Sequence, residues 1–200
     1  MSSLIGHGLA GMSLWTLGRR APALRPLESR AWLAGAAAAA CLPDLDALLG
    51  LPHRGPTHTL GFALAIALLC ALAAASRGLK KEALAIGGVT VLIVWSHPAL
   101  DLCTGGGPDV ALFRPFWTRE FQPRAGGLPL TGYTHHVGGL LDLLFDPATI
   151  WAMAAEGAIF GSLFGATVVQ NPRFRIALAF AGTTLWILLA LAANRQHPGT

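Results

Sequence analysis

The sequence predicts an all-α protein, a polytopic transmembrane helix bundle of about five to six helices with one long extramembrane loop, and three observations predict it. Hydrophobic residues make up 54% of the 200 positions and charged residues 12%, with a mean hydropathy of +0.56. Soluble domains carry roughly 25% charged residues, so this chain lacks the polar surface to coat a water-soluble globule. Apolar runs recur at the length a bilayer requires, about 20 residues per helix. The few cations fall mostly between those runs.

The elements follow in order. Residues 3–17 form a short apolar run that contains His7, and residues 31–49 form an Ala-rich run broken by Pro43. Residues 59–75 hold no charge, and residues 83–102 are apolar until His97 and Asp101. Residues 148–169 carry only Glu156, and residues 174–193 only Arg175 near one end. Residues 1–200 are expected to be one integral membrane domain. The first residues show neither a basic n-region nor a cleavage site after an apolar core, so the N-terminus is expected in the mature chain.

The segment 103–147 is too long for a plain connection, since loops beyond about 12–15 residues are usually functional or disordered. Its aromatic content argues against disorder, and it is expected to cover the site as a lid. The net charge of +4 is spread out, with no Lys/Arg run interleaved with aromatics, so nucleic acid is not an expected partner. Cys41, Cys70 and Cys103 form no CxxC pair, and read as small buried hydrophobes, with Cys103 a candidate neighbour of the site.

Loop cations set the expected orientation. Arg19, Arg20, Arg25, Arg30, Arg77, Lys80, Lys81, Arg173 and Arg175 fall on one side of the predicted topology, nine in all, and only Arg54, Arg114, Arg119, Arg124 and Arg195 on the other. The richer side is expected to be cytoplasmic. On that topology His7, Asp44, Asp46, His53, His58, His97 and Asp101 all converge on the opposite, periplasmic face.

These residues carry the chemistry. His97 and Asp101 are spaced i, i+4, which puts imidazole and carboxylate on one helix face where both can grip an ion. The competing reading is a carboxylate orienting a core histidine, and Pro98 between them is expected at a local break or bend. Asp44 and Asp46 follow a proline at a spacing that suits cation binding, or plain helix capping. His53 and His58 flank Pro56 in a loop able to turn both rings inward, and Arg54 beside them offers a planar fork for phosphate or carboxylate oxygens. His7 alone is a weak signal. His135, His136 and Glu156 have no assigned role.

Together these seven form a mixed N/O ligand set suited to a divalent transition metal, zinc before manganese or iron, and too rich in nitrogen for a dedicated Ca²⁺ or Mg²⁺ cage. Seven candidates exceed one tetrahedral shell, so one or two ions are expected. Such an ion lowers the pKa of water toward ~7. Arg54 and the backbone amides of Gly105, Gly106 and Gly107 are expected to stabilise charge on a phosphoryl or acyl oxygen, with Asp46 as the second catalytic candidate.

The order His7, PDLD, HRGPTH and SHPALDLCTGGG, followed by Pro115-Phe116 and later LDLLFDPATIW, resembles the YdjM-like family of membrane-bound metal-dependent hydrolases. The resemblance runs from residue 7 to about 151. It implies a multi-helix bacterial inner-membrane protein with a His/Asp metal centre at His7, Asp44, Asp46, His53, His58, His97 and Asp101.

Three functions compete. The first is a hydrolase of an amphiphilic or periplasmic ester, with a lipid phosphoester foremost and the lipid bilayer as its surroundings. The second is a metal-ion or proton transporter, whose ligands are expected nearer the bilayer midplane on related halves. The third is a metal-stabilised structural protein with a closed coordination shell.

Overall fold

A computed structural model describes residues 3–48, 50–51, 54–104, 108–122 and 147–196. Six long helices are present among them: α1 (Leu4–Gly18), α2 (Arg30–Cys41), α4 (Leu60–Ser76), α5 (Ala83–Thr104), α6 (Pro147–Val168) and α7 (Pro172–Gln196). A single helical turn, α3 (Leu45–Leu48), follows α2. The all-helical expectation therefore holds among the described residues, and the apolar runs read from sequence coincide with helices. By length and composition two of these helices can cross a membrane, Ala83–Cys103 and Pro172–Leu189, while Leu60–Ser76 and Met153–Val168 are shorter apolar helices.

Local chemistry sets the helix ends. Ser3 caps α1, its hydroxyl accepting from the Gly6 N–H at 3.3 Å, and Thr59 caps α4 by accepting from Phe62 at 3.2 Å. Pro43 has no N–H to extend α2, so the chain tightens into a 3-10 turn over Leu42–Asp44 before α3. At the end of α4, Gly78 adopts φ +90°, and the Gly78 and Leu79 amides return to Ala75 and Ala74, a glycine-dependent stop that tucks the chain back toward α5. The break expected at Pro98 is not seen, since the helix is continuous from Ala83 to Thr104. Packing on α1, α2 and α4 holds it through the single missing hydrogen bond.

α1 and α5 lie at the centre: α1 packs on α2, α5 and α6, and α5 also packs on α2 and α4. The approach of α1 to α2 is close enough that a Cβ at Gly11 would stand 2.5 Å from the Ala36 carbonyl oxygen. One core joins Trp15, Leu24, Leu27, Ile86 and Ile93 to the small residues of α2, with Trp15 and Trp32 stacked at 5.1 Å. A second joins Ala155, Ile159 and Phe160. Among the described residues α7 packs chiefly on α6 and leaves Phe174, Ile176, Phe180, Ile187 and Leu188 exposed, as lipid-facing side chains are.

Part of the long segment after α5 is ordered over the start of α4. The Leu60 and Gly61 amides, which have no partner inside the helix, donate to Leu112 and Arg114 carbonyls at 2.9 and 2.8 Å. Val110 and Phe121 exchange backbone hydrogen bonds at 2.9 Å, and Phe113 gathers Trp95, Trp117 and Phe121 around it. Gly105–Gly107 and residues 123–146, including His135 and His136, lie outside the described residues.

Candidate metal centre

Four helix ends meet at one point. α1 brings His7 from its first turn, the turn after α2 brings Asp44 and Asp46, the 3-10 turn Pro56–His58 brings His58, and the last turns of α5 bring His97 and Asp101. His53 lies outside the described residues, so six of the seven sequence candidates are seen, and all six come together. His7, His58, His97, Asp46 and Asp101 are fully buried, whereas the Asp44 side chain keeps 21% of its surface exposed.

Two overlapping groups of three can hold a metal ion: His7, His97 and Asp101, and Asp44, His58 and His97, each with its ligand atoms within 4.8 Å of one another. Both use His97. Its Nδ1–H donates to the Ala40 carbonyl at 2.8 Å, which leaves the lone pair of the neutral ring on Nε2, inside the cluster. Ala40 lies in the last turn of α2, where carbonyls lose their in-helix partners.

From His97 Nε2 to Asp44 Oδ1 is 3.2 Å, and to Asp101 Oδ2 3.9 Å. His58 Nε2 stands 3.7 Å from that Asp101 oxygen and 3.9 Å from Asp44 Oδ1. Four ligands bound tetrahedrally at 2.0–2.1 Å lie about 3.3–3.4 Å apart, so these four histidine–carboxylate separations are slightly longer than those within a ligand shell. Among the described residues His7 Nδ1 makes no hydrogen bond, and His97 Nε2, Asp44 Oδ1 and His7 Nε2 face only other members of the cluster. Burying such groups without hydrogen bonds costs about 1–3 kcal/mol each, which an ion between them would offset. The donor set therefore fits a divalent cation.

Asp46 belongs to neither group. Its Oδ2 sits 3.2 Å from His58 Nδ1, on the far side of the ring, and accepts from the Thr57 hydroxyl at 3.2 Å and the Arg54 N–H at 3.0 Å. A proton on His58 Nδ1 toward Asp46 leaves Nε2 facing the cluster, the arrangement by which carboxylates orient ligating histidines. Arg54 adopts φ +62°, an unfavourable value for a non-glycine residue, and its backbone bond to Asp46 holds it there. Its buried guanidinium donates to the carbonyls of Pro108 and Asp101 at 2.8 and 3.4 Å, with Nε 3.5 Å from Asp101 Oδ2. It thus ties the segment after α5 to the end of that helix. His7 stacks on His97 with ring centroids 3.6 Å apart and places Nε2 3.5 Å from Asp101 Oδ1.

Sequence reasoning missed Thr57, the Ala40 carbonyl and the partner of Glu156. Thr57, inside HRGPTH, carries a usable signal, being a hydroxyl one residue before a ligand candidate. Glu156 is fully buried in α6 and accepts from the Ser3 N–H at 2.6 Å and from the Ser3 hydroxyl. This puts a carboxylate on the amide end of α1, one turn ahead of His7. Cys103 is an exposed free thiol.

No curated protein and no solved structure matches the chain. The YdjM inner membrane protein family matches it over residues 1–197, almost its whole length. An all-helical chain with a buried His/Asp cluster at one end of its helices thus belongs to the YdjM inner membrane protein family.

Proposed function

We propose that this protein is a membrane-embedded metal-dependent hydrolase with one divalent ion, held by Asp44, His58, His97 and Asp101. The carrying observation is that His97 Nε2 and His58 Nε2 each lie 3.2–3.9 Å from both Asp44 Oδ1 and Asp101 Oδ2. One ion is favoured over two because both groups draw on the single inward lone pair of His97. Zinc suits a mixed nitrogen and oxygen shell of four, with manganese and iron as the other candidates. When bound, such an ion supplies a Lewis acid and activates water at neutral pH.

The chain's own residues do the rest. Asp46 and Thr57 lock the His58 ring, and the Ala40 carbonyl locks His97. Arg54 and Asp46, candidates for catalysis on sequence grounds, are assigned positioning roles: the Arg54 guanidinium is committed to Asp101 and Pro108. His7, against Asp101 Oδ1, holds that carboxylate in place and is the histidine available for proton transfer. Asp44 is the exposed edge of the centre, so substrate approaches there. A centre at helix ends in a membrane protein suits an amphiphilic or periplasmic ester, a lipid phosphoester foremost, with all six long helices crossing or entering the bilayer and the centre on the periplasmic side.

Elemental analysis of the detergent-purified protein tests this, beside His58→Ala and Asp101→Ala. Near-stoichiometric zinc, manganese or iron, lost in both variants and accompanied by metal-dependent release of phosphate from phosphatidic acid, is the expected result. Bound metal without turnover, together with metal uptake into proteoliposomes, would replace hydrolysis with transport. No metal bound or taken up on titration would end the reading.

A further inference from the structure

The opposite end of α1 carries a second constellation. His7 and Arg19 are twelve residues apart on and just beyond one helix, roughly 18 Å along its axis, so this end lies well away from the His/Asp cluster. A wide-mouthed surface cavity of about 390 Å³ lies there, lined by Thr16, Arg19, Arg20, Arg25, Glu28 and Thr167. Three guanidinium groups face one carboxylate. Arg19 is paired with Glu28, and Arg20 donates to the Thr167 carbonyl at 3.3 Å, which ties the loop after α1 to the end of α6. Arg25 has no ion-pair partner among the described residues. A second cleft of about 260 Å³ shares the Arg19–Glu28 pair and adds Trp15, Ser29, Arg30 and Leu33.

We infer that this cavity binds the phosphate of an anionic phospholipid headgroup. The lining leaves two positive charges in excess, and planar guanidinium forks match phosphate oxygens. Its size falls in the range of small-ligand sites, about 300–1,000 Å³. The surroundings favour a lipid over free phosphate. Leu17 and Val168, each the next residue after a lining threonine, are 45% and 46% exposed, apolar surface of the kind an acyl chain covers. Basic pockets between helices on one side of a membrane take anionic headgroups for this reason. Because the cavity bridges α1 and α6, an occupant would also brace the end of the helix that carries His7.

The test titrates the full chain in detergent with short-chain phosphatidylglycerol, with phosphatidylcholine and with inorganic phosphate, counting bound molecules by native mass spectrometry. Phosphatidylglycerol is expected to bind in preference to phosphatidylcholine, and Arg20→Ala combined with Arg25→Ala to weaken it roughly tenfold or more. Lys80→Ala combined with Lys81→Ala removes two cations predicted on the same side but outside the cavity, and should leave binding within about twofold. Thermal unfolding alongside wild type shows that the arginine variant is folded. Equal loss in the lysine variant would reduce the effect to general surface charge and overturn the site. Binding of both lipids alike would also overturn it, as would displacement by millimolar inorganic phosphate, which would reassign the cavity to a soluble anion.

Discussion

α5 and α7 are both apolar enough to cross a membrane, yet 44% of the membrane-length stretch of α5 is buried inside the protein and only 6% of that in α7. The difference lies in what each must satisfy. α5 ends in His97 and Asp101, whose polar atoms need partners from α1, the turn after α2 and the turn before α4. Drawing those partners in surrounds the helix. α7 carries no such group among its described side chains, and its apolar face gains as much from lipid as from protein. α5 is the more hydropathic of the two stretches, but it is a few buried polar atoms that draw protein around it.

Variants of the α5 end and of the α6–α7 hairpin should therefore differ widely. The largest effect is expected from His97→Ala, which removes the residue common to both metal-holding groups. Metal content should fall from near-stoichiometric to background by elemental analysis, and retention of the ion would mean that the shell forms without His97. Next, Asp101→Ala strips the carboxylate from Arg54 and His7 at once. Leaving a buried charge uncompensated costs about 3–5 kcal/mol, to be read as a lowered unfolding midpoint in metal-free detergent solution.

Smaller effects are expected from the residues that support the cluster and from the exposed face of α7. Asp46→Asn and Thr57→Val should leave the ion bound but lower its affinity by about 10–100-fold, as loss of a histidine-orienting partner does. A competition titration with a chelator measures this, and an affinity equal to wild type would remove Asp46 from the centre's support. Glu156→Gln should cost about 1 kcal/mol through the weakened hold on Ser3 and the start of α1, with metal content unchanged. On α7, Phe180→Ala should alter stability by no more than about 0.5 kcal/mol in detergent. A larger loss would show that this exposed face is covered by protein rather than by lipid.

Helix positions were legible because a helix satisfies its own backbone and its location depends on a run of neighbouring residues. Every long helix observed was anticipated within a few positions, the Pro43 break included. The convergence of His7, Asp44, His58, His97 and Asp101 was legible for a related reason: counting apolar runs places each residue at an alternate end of a helix, and these fell at the same end. Pro98 shows the limit of local reading. Its missing N–H predicts a break, but packing on three neighbouring helices keeps α5 continuous.

Composition, run length and parity along the chain set the membrane setting, the helices, the His/Asp makeup of the cluster and the helix ends where it gathers. The division of labour among those residues came from tertiary packing. Asp44 and Asp46 are two residues apart and chemically identical, yet one faces the point shared by His58 and His97 while the other sits behind the His58 ring. Arg54 turns toward Asp101 rather than outward, and Glu156 finds Ser3, 153 positions away. These assignments depend on separations of about 3 Å between groups that the chain does not connect locally. Hydrogen bonds and ligand shells discriminate at that scale, and no pattern of residue types along a chain encodes it.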